Sequence, residues 1–150
     1  MVAYSFKAGF VPKIQTFEKL QTIRLPRKRH ARPGEPVQLY QGMRTRHCEK
    51  IITDPVCVGV DEVRIDLRLL DGRAPYAVPD FSGFVVVNGI PVPDAEADAY
   101  ATSDGFGPIG KTARPIVRMT RWWMLHHGVV VFDGVAIRWR PEQIGGAVDA

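Results

Sequence analysis

From residue 63 to residue 69, apolar and charged side chains alternate without a break: Val63, Ile65, Leu67 and Leu69 are interleaved with Arg64, Asp66 and Arg68. A period of two sends one set to each face of an extended strand, so this segment predicts a β-strand with one buried and one wet side. Around it lie further β-type runs. Ile51-Ile52-Thr53 and Val56-Cys57-Val58-Gly59-Val60 are apolar stretches broken by Pro55, and Val37-Gln38-Leu39-Tyr40 reads as a strand. Phe84-Val85-Val86-Val87 supplies another after the Pro-, Gly- and Asp-rich loop at 73–83. Asp71-Gly72 is a hairpin-type turn, and residues 129–132 and 135–139 read as a final hairpin around Asp133-Gly134. Tyr4, Phe6 and Phe10 point to a short first strand.

Helical signals gather at the two ends. Pro12 opens a short helix with Ile14 and Phe17 one turn apart, carrying Lys19 near its C-terminus. Asp94 caps an Ala-rich helix reaching about Ser103, and a longer helix runs from about Thr112 to His127, with Pro115 in its first turn and Gly128 as its stop. Ile116, Met119, Trp122 and Trp123 recur at helical spacing, which places at least one indole in the core and leaves the other to stack a base. Short strands with helices at both ends give an α+β domain whose sheet curls into a barrel. A length of 150 residues suits a single domain spanning 1–150.

Other classes are disfavoured. No stretch approaches the ~18 consecutive apolar residues of a membrane span, and the first residues lack a secretory pattern, so a cytoplasmic protein without membrane contact is expected. Cys48 and Cys57 stand nine apart with no CxxC and no paired histidines, which favours buried thiols over a metal site; neither metal nor cofactor is expected. The segment Gly105-Phe106-Gly107-Pro108-Ile109-Gly110-Lys111-Thr112 formally satisfies G-x-x-x-x-G-K-T. No buried strand leads into it, Pro115 follows soon after, and the chain lacks the βαβ repeat that supports a phosphate loop.

Charge is unevenly placed. Residues 1–50 hold eleven Lys and Arg against three Glu, a balance of +8, while residues 51–100 come to −6 and residues 101–150 to +2. The densest part is Lys19-Leu20-Gln21-Thr22-Ile23-Arg24 followed by Arg27, Lys28, Arg29, His30 and Arg32, with turn signals at Pro26 and Pro33-Gly34. Such a basic face concentrates anions, and a polyanion or a nucleotide is its natural guest. Tyr40 with Arg44 and Arg46 adds an aromatic beside cations, suited to a single-stranded base and its phosphates. A solvated loop that binds nothing in particular is the alternative reading.

The stretch KLQTIRLPRKRHARPGEPVQLYQGMRTRHCEKI resembles the ASCH domain, a PUA-like β-barrel family linked to RNA and modified nucleosides. DAYATSDGFGP and RWWMLHHGVVVFDGVAIRW then follow in the order and spacing of ASCH-like proteins of phage and prophage, so the resemblance covers most of the chain. It implies an α+β fold, a PUA-like barrel with flanking helices, and RNA or a pyrimidine nucleoside as partner. The general motif G-x-K-x-x-E-x-R is matched by Lys19 and Arg24, with Phe17 in place of Gly and Thr22 in place of Glu. The K-x-x-T-I-R form is that of the acetylcytidine amidohydrolases, which implies Lys19 and Thr22 as the reacting pair and an acid, here Asp104 where that branch has Glu, as third member. Arg24, Arg27, Lys28, Arg29, Arg32, Tyr40, Arg44 and Arg46 are the binding candidates. Other ASCH proteins act as single-strand ribonucleases or RNA-binding adaptors, so a ribonuclease and a non-catalytic RNA-binding module stand beside the hydrolase.

The residues support such chemistry in their own right. A lysine three positions before a threonine can share one face of a helical turn, and a desolvated lysine near Arg24 has its pKa pushed down toward that of a useful base. It could take the proton of Thr22 as the hydroxyl attacks an acyl carbonyl. For RNA cleavage, His30 and His47 are possible bases. Plainer roles exist for each residue: Lys19 as a solvated helix-end cation, Thr22 as a β-branched strand residue, Asp104 as a turn former before Gly105, and His126-His127 as compensation for a helix dipole.

Overall fold

The computed structural model describes residues 2–108 and 113–141. It is a mixed α+β arrangement of two sheets and three α-helices. In the first sheet β1 (Val2–Phe6) runs parallel to β3 (Val37–Gln41), which pairs antiparallel with the two-residue β4 (Glu49–Lys50). The second has the order β2 (Gln21–Arg24), β8 (Val131–Arg140), β5 (Val56–Asp66), β6 (Val85–Val87), β7 (Ile90–Pro91), all antiparallel. A bridge between Pro36 and Val56 joins the sheets, with Val37 N donating to Pro55 O and Cys57 N to Glu35 O, each at 2.8 Å. Among the described residues no backbone ladder joins β1 to β2. That open seam holds the site.

Two apolar clusters fill the interior. One lies between the five-stranded sheet and the helices α2 (Asp94–Ala101) and α3 (Pro115–His127), and includes Ile65, Leu67, Phe81, Phe84, Ile116, Met119 and Trp123. The other, with Tyr4, Phe6, Ile14, Leu39, Ile137 and Trp139, fills the space between the sheets. Phe10, beside α1 (Val11–Gln15), packs against both. No helix among the described residues is long and apolar enough to cross a membrane.

Several local expectations are corrected. Val63, Ile65 and Leu67 are buried as the alternation requires, but Leu69 is exposed. β5 stops at Asp66, whose carboxylate accepts from Arg68 N at 3.0 Å and turns the chain into a 3₁₀ helix at Leu67–Leu70. Asp71 and Gly72, both at positive φ, end that helix instead of joining paired strands. Ile51 to Thr53 form no strand. Phe10 falls outside β1, in a 3₁₀ turn. The final hairpin does not exist: β8 runs straight through Asp133-Gly134, pairing with β5 along its whole length. Gly134 is needed for approach, since a Cβ there would strike Arg24 O of β2 and the Phe132 ring. Asp94 is the first residue of α2 rather than its cap, and its carboxylate instead accepts from Phe81 N at 2.8 Å and from Arg114 at 3.2 Å. The helix ends at Ala101, short of Ser103. Of the two thiols only Cys57 is buried; Cys48 is exposed on the loop before β4. α3 begins at Pro115; Thr112, at its expected start, lies outside the described residues.

Candidate active site

Lys19 is not a helix-end cation. α1 stops at Gln15, and Phe17, at φ 60°, swings the chain out so that Glu18 N and Lys19 N both donate to Lys13 O at 2.9 Å. Leu20 then anchors β2 by accepting from Trp139 N at 3.0 Å and donating to Ser103 O at 2.8 Å. Lys19 and Thr22 therefore share no helical face; the start of an edge strand brings them to one cavity. Lys19 is 4% exposed, so the solvated reading is also excluded.

Opposite β2, the chain leaves α2 through a wide π-type turn at Thr102–Phe106 in which Gly105 stands at φ 98°. Such a turn frees carbonyls that must find other donors. Cations supply them: Lys19 Nζ donates to Asp104 O at 2.6 Å, Arg118 to Phe106 O at 2.7 Å, and Lys13 to Gly107 O at 2.8 Å. A Cβ on Gly105 would lie 3.0 Å from Lys19 Cδ, so glycine makes room for the lysine stem as well as for the turn. The Asp104 carboxylate is buried with it, 3.5 Å from Lys19 Nζ and accepting from Gln21 Nε2 at 3.4 Å.

The cavity above these groups has a volume of about 390 Å³, within the usual ~300–1,000 Å³ of small-molecule sites. Its polar floor is Lys19, Thr22, Arg24 and Asp104. Its walls are aromatic: Phe10, Phe106, Trp122, Trp123 and Phe132, with His127 among them. Phe10 meets Phe106 and Trp122 edge to face at 5.7 Å, and Trp122 stacks on His126 at 4.1 Å. Lys19 Nζ sits 4.7 Å from the Phe10 ring centre.

Burial in this apolar shell pushes the Lys19 amine down from its ordinary value; the Asp104 charge opposes the shift and Arg24 adds to it. Burial likewise pushes Asp104 up, against the attraction of Lys19 and the hydrogen bond from Gln21. His127 is lowered by burial, then by His126 and Lys7, and so joins the wall as neutral imidazole at pH 7. Thr22 Oγ1 accepts from Arg24 Nε at 2.9 Å, while Arg24 Nη2 donates across the seam to Ser5 O at 2.7 Å. A donor fixed on the hydroxyl oxygen stabilises negative charge there. The arrangement thus offers an amine shifted toward its neutral form, a polarised hydroxyl and a carboxyl group in one apolar cleft, the equipment of acyl transfer.

The other expected binding residues lie outside this cavity. Leu25 lies in its lining, and the basic loop starts there. Arg27 lies over the Tyr4 ring at 4.6 Å, Lys28 is exposed, Arg29 pairs with Glu35, and Arg32 N donates to the same carboxylate at 2.6 Å. Tyr40 is half-buried with the Lys50 amine 5.7 Å from its ring. Arg44 and Arg46 are on the 42–48 loop, which touches β1 where Met43 N donates to Ser5 Oγ at 3.3 Å. His30 is held at both nitrogens, donating to Leu25 O at 2.9 Å and accepting from Tyr4 OH at 2.8 Å, so it is no free base. His47 is exposed and absent from the cavity lining. Of the glycine-rich segment, Ile109 to Thr112 lie outside the described residues, and its first part follows a helix rather than a strand. Among the described residues no cluster of three or more His, Cys, Asp or Glu could hold a metal ion.

Sequence reasoning did not single out Gln21, Phe106, His127 or Phe132, or Phe10 as a site residue. The tryptophan pair was the available signal, and the structure separates its members: Trp123 is 4% exposed, Trp122 half-buried on the cavity wall. No family model, curated protein or solved structure matches the chain.

Proposed function

We propose that the cavity binds a pyrimidine nucleoside acylated on its exocyclic nitrogen and hydrolyses the amide, and that the two sheets are a PUA-like barrel of the ASCH type left open between β1 and β2. The observation that carries this reading is the convergence of the buried Lys19 amine, the Thr22 hydroxyl and the Asp104 carboxyl group on one aromatic-walled cavity of about 390 Å³. A flat base suits such walls. The resemblance gains support at residue 17: the motif has glycine where this chain holds φ 60°, a conformation glycine adopts freely.

In the reaction, neutral Lys19 takes the Thr22 proton as Oγ1 adds to the acyl carbon. To do so Nζ turns from the Asp104 carbonyl toward the hydroxyl. Arg24 stabilises the charge developing on oxygen. Collapse breaks the C–N bond, the proton held by Lys19 passes to the leaving nitrogen, and cytidine departs. Water then adds to the threonyl ester as Lys19 again accepts a proton; the acyl C–O bond breaks, Lys19 returns that proton to Thr22 Oγ1, and the carboxylic acid leaves. Asp104 positions the amine throughout.

A second reading, binding or cleavage of single-stranded RNA, is favoured by the basic loops at 25–32 and 42–48, both of which contact β1. A screen of the purified protein against N4-acylated cytidines and labelled single-stranded RNA, with Lys19→Ala as control, separates them. The amide reading expects release of acid from the acylated nucleoside and none from Lys19→Ala. RNA cleavage without amide hydrolysis contradicts it.

A further inference from the structure

The charges lining the cavity do not balance. Lys7, Lys19 and Arg24 face it, with Asp104 as the one carboxylate of the lining among the described residues. That carboxylate is already engaged inside the protein, by Lys19 and Gln21. Arg24 spends its hydrogen bonds on neutral oxygens, Thr22 Oγ1 and Ser5 O. Arg27, outside the lining, also has neutral partners: the Tyr4 ring, Arg29 O at 2.9 Å and Ala3 O at 3.5 Å. Among the described residues, none of Lys7, Arg24 and Arg27 forms an ion pair. Guanidinium and ammonium groups held at an apolar cleft without counter-charge favour an anion there.

The position of Lys7 says where that anion belongs. Lys7 is exposed, directly after β1, and its amine lies 6.0 Å from the centre of the Trp122 ring. It therefore stands at the rim beside an aromatic wall, away from the buried Lys19. A base stacked on that wall would leave its sugar and any phosphate toward the rim. Neutral nucleosides would leave these cations unanswered.

We propose that the ligand is a pyrimidine nucleotide whose phosphate is met at the rim by Lys7, and that the site prefers a monophosphate to the neutral nucleoside. This rests on the nucleoside reading of the cavity but not on the amide chemistry. A phosphate meets the Lys7 ammonium as a charge-assisted hydrogen-bond acceptor, and its affinity weakens as salt rises.

The test titrates the full chain with cytidine and with cytidine 5′-monophosphate, each with and without an N4-acetyl group, following tryptophan emission from the cavity wall. The expected result is at least tenfold tighter binding of the monophosphate at low salt. Lys7→Ala narrows the gap to under threefold, Lys7→Glu removes or reverses it, and Lys7→Arg retains it; the exposed position makes all three compatible with folding. A cytidine pentamer shows the source of the phosphate: tenfold tighter binding than the monophosphate assigns it to an RNA strand, equal binding to a free nucleotide. Equal affinity for nucleoside and monophosphate overturns the proposal, as does a preference unchanged in Lys7→Glu. Absence of acid release while the preference holds contradicts only the amide reading, and binding of neither ligand overturns the nucleoside reading together with this one.

Discussion

Two cationic segments stand on either side of Pro26, and they have opposite fates. On one side, Lys19 is 4% exposed and Arg24 half-buried, both fixed in or next to β2 with partners at 2.6 to 2.9 Å. On the other, Arg27, Lys28, Arg29 and Arg32 are exposed on a loop, held by carbonyls, a ring face and Glu35. The sequence presents them as one basic run. Burial divides it: a desolvated amine can change its protonation state near working pH, whereas solvated cations attract anions and remain charged. The proposed function accordingly assigns chemistry to the first segment and recruitment to the second.

The sharpest way to break that contrast is to strip the buried segment of its counter-charge. Asp104→Leu leaves the Lys19 amine unpaired in an apolar shell and is expected to cost ~3–5 kcal/mol of stability in urea unfolding. Lys19→Met added to it should recover most of the loss. The sign with pH is fixed. Lys19 is lowered in the folded state, so the unfolded chain holds its proton longer, and stability should rise with pH between the lowered value and the ordinary 10.5. A cost below ~1 kcal/mol, typical of exposed pairs, would put the two segments in the same class.

A smaller effect is expected at Gly105. Gly105→Ala forces a side chain into positive φ and against the Lys19 stem, at ~1–3 kcal/mol, and should lower turnover by more than ligand affinity because it displaces the amine. The exposed segment should respond least. Replacing Arg27, Lys28 and Arg29 with Ala should leave the unfolding midpoint in place while flattening the dependence of log K for RNA on log salt by about two units, at ~0.7 per phosphate contact. An unchanged slope would remove the loop from any interface.

What was legible in the sequence was local. α3 has Pro115 in its first turn and stops before Gly128 as its punctuation says, because a fixed φ at one end and a positive φ at the other act within a single turn. The burial of Ile65 follows from a two-residue period. Asp133-Gly134 misled because the same dipeptide serves a turn or a close crossing, and only the neighbouring strand β2 decides which. Lys19 reads as a helix-end residue in the sequence because a phenylalanine at residue 17 hides the positive φ that the motif's glycine would announce. The motif brings Lys19, Thr22 and Arg24 forward and the resemblance adds Asp104, and the fold gathers all four in one cavity. The aromatic walls stayed hidden because Phe10, Phe106 and Phe132 are more than twenty residues apart from one another, and tertiary packing alone brings them together.

The most direct test of the account is the turnover of N4-acetylcytidine by Thr22→Val and Lys19→Arg. Valine keeps the shape of threonine without the hydroxyl, and arginine keeps the charge without a base accessible at neutral pH. Each should lower kcat by orders of magnitude with little change in ligand affinity, and turnover by the unsubstituted protein should gain rate with rising pH as Lys19 loses its proton below its ordinary 10.5. Full activity in Thr22→Val, or an arginine at residue 19 that works as well as lysine, would contradict the buried pair as the seat of the chemistry.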